Sequence, residues 1–153
     1  MLTVYIDADA CPVKDEVYRV AARYQMRVVV VANAPLRVPT RPLVELVVQA
    51  GFGAADDWIA AQTGPGDLVI TADIPLAARA LAVGALVLGP TGRPFTDKDI
   101  GSALAGRALL EELRQSGVVG GGPAPMGPKD RSRFLAKLDE LINAVRRAHP
   151  PQA

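Results

Sequence analysis

Two short segments carry the residues best suited to chemistry. They are Asp7-Ala8-Asp9-Ala10-Cys11-Pro12 and Thr71-Ala72-Asp73-Ile74-Pro75. Each follows an apolar run, Leu2 to Ile6 and Leu68 to Ile70. Both runs read as buried parallel strands, so both segments put carboxylates where a strand ends and a helix begins. In open α/β sheets that rim is where ligands bind. Carboxylates gathered there repel one another unless protons or a cation offset the charge. A hard divalent cation with oxygen ligands answers that need.

Each acid also has a plainer reading. Asp7 or Asp9 can cap the helix expected to start at Pro12, which explains one aspartate better than two. Asp73 can be a cap or turn residue before Pro75. Asp56 and Asp57 open an expected helix, where the helix dipole alone favours acids. Asp67 lies at the wrong end of its strand for a rim site and reads as turn chemistry. Asp97 and Asp99 fit a capping box that opens at Thr96. Asp15 and Glu16 read as decoration of the first helix.

Other chemistries find little support. The single Cys11 excludes an internal disulfide framework and a cysteine-rich zinc site. A helix start can lower a thiol pKa, but the only histidine, His149, falls in the terminal tail. That argues against a Cys–His pair and against histidine acid–base chemistry. Neither GxGxxG nor GxxxxGK[ST] occurs, nor a GxSxG elbow.

The elements that must position the carboxylates follow from pattern. Half of the 153 residues are hydrophobic, 5% are aromatic and the formal net charge is +1. This composition suits helices packed on a parallel sheet, and the length suits one domain, 1–153. It also confines any basic surface to a local patch. Strands are expected near residues 2–6, 27–32, 68–71 and 85–88. Helices are expected from Pro12 to about Gln25, over Ala54 to Gln62, over Leu76 to Val83, from Thr96 to about Gln115, and over about 128–147. Leu43 to Gln49 is ambiguous between strand and helix. Asn33 to Pro42 is an acid-free loop holding Arg37 and Arg41. Gly117 to Gly127 reads as a flexible loop, and the tail 148–153 as frayed. Strands alternating with helices imply a parallel sheet joined by right-handed crossovers. No apolar run approaches the ~18 residues of a membrane span. With no leader pattern visible, a cytoplasmic location is the expectation.

The segments Asp7–Pro12, Ala32-Asn33 with Leu36-Arg37-Val38-Pro39, and Gly66–Ala77 together resemble the YaiI/YqxD family of bacterial proteins. Ala55-Asp56 with Ile59, Gly92 with Phe95-Thr96, and Gly121-Gly122-Pro123 extend the match. That family is similar to the PIN-like superfamily of metal-dependent nucleases. The resemblance implies a three-layer α/β/α fold with a central, mainly parallel sheet. It implies Mg²⁺ or Mn²⁺ as cofactor, and RNA or single-stranded nucleic acid as substrate. Asp7 matches the first PIN-type aspartate, and Asp73 with Thr71 matches the later Thr-x-Asp element. Asp56 is the candidate middle acid, while Asp9 belongs to the family motif without a clear PIN counterpart. No fourth PIN acid is identifiable.

The leading expectation is therefore a metal-dependent phosphodiesterase. Asp7, Asp9 and Asp73 are its catalytic candidates, and Asp7, Asp9, Asp56 and Asp73 its metal ligands. Thr71, Asn33 and Arg37 are its substrate-binding candidates, with Arg37 placed to meet a phosphate oxygen. One alternative is a nucleic-acid-binding module with a degenerate metal site. It draws on the excess of six Lys/Arg over three Asp/Glu from Gly127 to Ala153. The other is a DxD-type phosphatase with Asp7 as nucleophile and Asp9 as acid. Sequence leaves open the oligomeric state, the substrate's identity and the pathway.

Overall fold

The computed structural model describes residues 2–96 and 127–148. The helix expected from Thr96 to about Gln115 (beyond Thr96 itself), the Gly121-Gly122-Pro123 match and the tail from His149 lie outside the described residues.

Five strands form one all-parallel sheet: β1 (Thr3–Asp7), β2 (Arg27–Ala32), β3 (Val44–Val48), β4 (Leu68–Ile70) and β5 (Leu86–Leu88), in the order β3-β2-β1-β4-β5. Register pairs Tyr5 with Val29 on one side and with Val69 on the other. The ambiguous stretch resolves as β3, an edge strand whose side chains are only partly buried. Its Val44, Leu46 and Val47 still pack on the core while Glu45 stays exposed, so a strand serves where the pattern was mixed.

Alternation along the strands divides the core in two. Val4, Ile6, Val28, Val30, Leu68 and Ile70 face α1 (Lys14–Arg23) and α4 (Pro128–Ala148). Tyr5, Val29, Val31, Val69 and Val87 face α2 (Ala54–Gln62) and α3 (Ile74–Ala82). The result is a three-layer α/β/α sandwich in which the inner strands are apolar on both faces, as parallel sheets require. The chain leaves β1 for β2 through α1 on one face, and β4 for β5 through α3 on the other. Moves in opposite directions with helices on opposite faces keep one crossover hand. They also make the seam between β1 and β4 a topological switch point.

The amphipathic α4 buries Phe134, Leu138, Ile142 and Val145. It is tied to α1 by the Tyr24 hydroxyl, which donates to Asp139 Oδ1 at 2.6 Å, and by Arg131 with Glu16 at 3.1 Å. Lys137 pairs with Glu140, Arg133 with Asp130, and Arg146 lies over the Tyr24 ring. Most of the basic excess of this segment is thus engaged within the protein. Among the described residues no helix is long and apolar enough to cross a membrane.

Pro12 departs from expectation. It precedes α1 rather than entering its first turn, because Ala8–Ala10 form a 3₁₀ turn after β1. The Lys14 ammonium closes this turn by donating to the carbonyls of Ala8 at 3.1 Å and Cys11 at 2.7 Å. Val13 occupies the N-cap position of α1, with no side-chain cap bond. Neither Asp7 nor Asp9 therefore has a capping role there.

Candidate functional site

Asp7 ends β1 and Asp73 follows β4, so the switch point brings them to the carboxyl edge of the sheet. A cleft of about 250 Å³ opens there, lined by Asp7, Asp9, Asp56, Asp73, Asn33 and Phe52 among others. Four carboxylates face it, and among the described residues no Lys, Arg or His lines it. The four expected ligands thus share one cavity, with Asn33 beside them.

Backbone and side chains fix three of these carboxylates through one oxygen each. The Thr71 hydroxyl donates to Asp7 Oδ2 at 2.8 Å and itself accepts from the Asp73 N–H at 2.9 Å. Asp73 Oδ1 accepts from the Leu76 N–H at 3.0 Å, capping α3. Asp9 Oδ2 accepts from the Asn33 N–H at 3.0 Å, joining the turn after β1 to the end of β2. Asp73 caps α3 through Oδ1 and also lines the cleft, so the plain reading of it as a cap does not compete with its place there. Thr71 is fully buried, so it meets the carboxylates and not the solvent.

Charge is poorly accommodated in this arrangement. Asp7 is 4% exposed. Burial pushes its carboxyl up to about 6, the Thr71 hydrogen bond opposes that, and the charges of Asp56, Asp73 and Asp9 push it further. Asp56 is also raised, by burial and then by Asp73, with Arg79 opposing. A bound cation would relieve this strain. The donor set is all carboxylate oxygen, which suits Mg²⁺ or Mn²⁺. Among the described residues no three such groups stand close enough to form a ready-made ion cage. Mg²⁺ tolerates that, because it usually keeps several waters and takes one or two carboxylates directly.

The neighbouring acids separate cleanly. Asp57 points outward to Arg79 at 2.7 Å, while Asp56 lines the cleft. Asp67 sits at the opposite edge, where it accepts from the N–H groups of Thr3 and Gly64, the turn role expected of it. Cys11 is buried, and burial raises its thiol to about 11, which leaves little reactive thiolate. Arg37 is exposed on the loop after β2 and is not among the cleft-lining residues. Sequence reasoning passes over Phe52; its one signal was a large apolar residue between two turn glycines. A second cavity of about 300 Å³ lies where β2 and β3 begin, lined by apolar groups such as Met26, Val28 and Leu43, with Arg41 at its side.

The family model described as "Uncharacterized BCR, YaiI/YqxD family" matches residues 5–144. A UPF0178 protein of Rhodospirillum centenum is 57% identical over 152 residues, covering 96% of this chain and 99% of its own. A UPF0178 protein of Rhodopseudomonas palustris strain BisB5 is 54% identical, covering 97% and 92%. A third, from Caulobacter sp. strain K31, is 57% identical, covering 96% and 98%. No solved structure matches the chain significantly.

Proposed function

The chain belongs to the YaiI/YqxD family, and on that premise we propose that its acidic cleft is the active site of a metal-dependent phosphodiesterase acting on RNA or other single-stranded nucleic acid. The observation that carries this reading is the gathering of Asp7, Asp9, Asp56 and Asp73 around one cleft at the switch point, with no basic residue among the described residues that line it. Phosphate cannot approach four carboxylates unaided. Asp7 and Asp73 would hold the cation, with Asp56 and Asp9 beside them. A divalent ion in such a site polarises a phosphoryl oxygen and lowers the pKa of bound water.

The chain's own residues supply position and proton handling. Thr71 fixes Asp7, and the α3 cap fixes Asp73, each through one oxygen. Asp9, exposed and braced by Asn33, would take a proton from an attacking water. Arg37, on the loop that begins at Asn33, contributes phosphate affinity from outside the cleft lining.

The test is cleavage of labelled RNA and DNA oligonucleotides with Mn²⁺, Mg²⁺ or a chelator. Asn still caps a helix as well as Asp, so Asp73→Asn removes charge without removing the cap. It is expected to lower cleavage by more than about a hundredfold, beyond the usual cost of losing an outer-shell partner. Arg37→Ala is expected to weaken binding across all sequences and flatten its salt dependence. Equal activity in wild type and Asp73→Asn would contradict the reading. RNA binding without cutting under either metal would favour a binding module, and hydrolysis of small phosphomonoesters alone would favour a phosphatase.

A further inference from the structure

We propose that Phe52 is a stacking platform for an unpaired base, which makes the cleft selective for single-stranded nucleic acid. This rests on the reading of the acidic cleft as a phosphodiester site. The chain has three phenylalanines. Phe134 is fully buried and Phe95 packs against the second core, but Phe52 is 110% exposed. The other large exposed hydrophobics among the described residues, Val48, Val83 and Leu86, are only 38–42% exposed.

The placement is built into the backbone. Gly51 (φ +115°) and Gly53 (φ +72°) flank Phe52. A Cβ on Gly53 would meet nothing within 4 Å, so its glycine answers to the left-handed backbone and not to crowding. The Ala54 N–H donates to Gly51 O at 3.2 Å, and the Asp57 N–H to Gly53 O at 2.9 Å. The turn is therefore closed with the ring outside it. The same turn leads into α2, which carries Asp56, and Phe52 and Asp56 line one cleft.

A flat apolar ring beside a cluster of oxygen donors for a cation matches a ligand with two parts: a π-face and a phosphate. Nucleotides have both. Base-on-aromatic stacking tolerates any sequence, because every base has a π-face. In a duplex both faces of each base are already stacked, so the ring can engage only a base that is splayed out or unpaired.

The experiment measures binding apart from cutting. Anisotropy of a labelled single-stranded RNA is recorded with Ca²⁺, alongside quenching of a 2-aminopurine placed in the strand. Wild type is compared with Phe52→Ala, Phe52→Leu and Phe52→Trp, and a blunt-ended, fully paired duplex serves as control. Phe52→Ala and Phe52→Leu are expected to weaken single-strand binding about tenfold and to abolish quenching. Phe52→Trp should retain both, and duplex binding should not change. Unchanged affinity in Phe52→Ala, or full rescue by Leu, would overturn the stacking role while leaving metal-dependent cleavage intact. Absence of both binding and cleavage in wild type would overturn this proposal and the phosphodiesterase reading together. A dimer seen by sedimentation that dissociates on Phe52→Ala, with RNA affinity unchanged, would assign the ring to self-association and overturn the proposal.

Discussion

Asp7 is held in the fold at a cost. Its carboxyl is raised to about 6 by burial and by neighbouring acids, so the folded chain binds its proton more tightly than the unfolded chain does. Below pH ~4 both states carry the proton and nothing is lost. As pH rises to about 6, the unfolded state ionises first and stability falls. Above that the loss is complete, on the order of 3 kcal/mol at about 1.4 kcal/mol per pH unit of displacement. Asp7→Asn keeps an oxygen for the Thr71 hydroxyl and removes the charge. Without divalent cations it should melt above wild type at pH 8, the gap closing near pH 4, as followed by circular dichroism. Thr71→Val should act the other way. It strands the buried Asp7 Oδ2 and leaves the half-buried Asp73 N–H without its acceptor, costing about 1–3 kcal/mol by chemical denaturation. The type and spacing of Asp7, Asp9 and Asp73 are legible in the sequence. The choice of Asp56 over Asp57 is not legible from local pattern, since the helix dipole favours both equally. The family resemblance singles out Asp56, and the structure agrees: Asp56 lines the cleft while Asp57 pairs outward with Arg79.

At the scale of elements, α4 is seated by a contact distant in sequence. Gly92 has φ +87°, and a Cβ there would meet the Arg133 carbonyl carbon and the Phe134 nitrogen at 2.8 Å. Both belong to the backbone of α4, so the clash cannot be relieved by a side-chain rotation. Gly92→Ala should cost on the order of 2 kcal/mol or more in thermal unfolding, with the Tyr24–Asp139 contact loosened as α4 lifts. Sequence pattern includes Gly92 in the family match but holds no reason for it, because the reason is a contact with a helix about forty residues later. The short central strands and α2 are legible from β-branched runs and turn glycines. β3 is not, because an edge strand that buries its side chains only in part has no strict period. Pro12 misleads for a local reason: the 3₁₀ turn delays the helix by two residues.

For the whole molecule, strand order decides where chemistry sits. Alternating strands and helices imply the layers and the parallel sheet. They do not imply the order β3-β2-β1-β4-β5, which sets β1 beside β4 and so creates the cleft. A sequence can place acids at strand ends, but neighbouring strands are chosen by packing across the entire sheet. Cation binding through Asp7 and Asp73 is read by thermal unfolding of wild type and Asp7→Asn/Asp73→Asn, titrated with Mn²⁺ at pH 7.5. Binding to the folded state alone stabilises by mass action, about 2.7 kcal/mol at a hundredfold excess over Kd. A saturable rise in Tm is expected for wild type and none for the double variant. An equal rise in both proteins, or no rise in wild type, would contradict binding through these carboxylates.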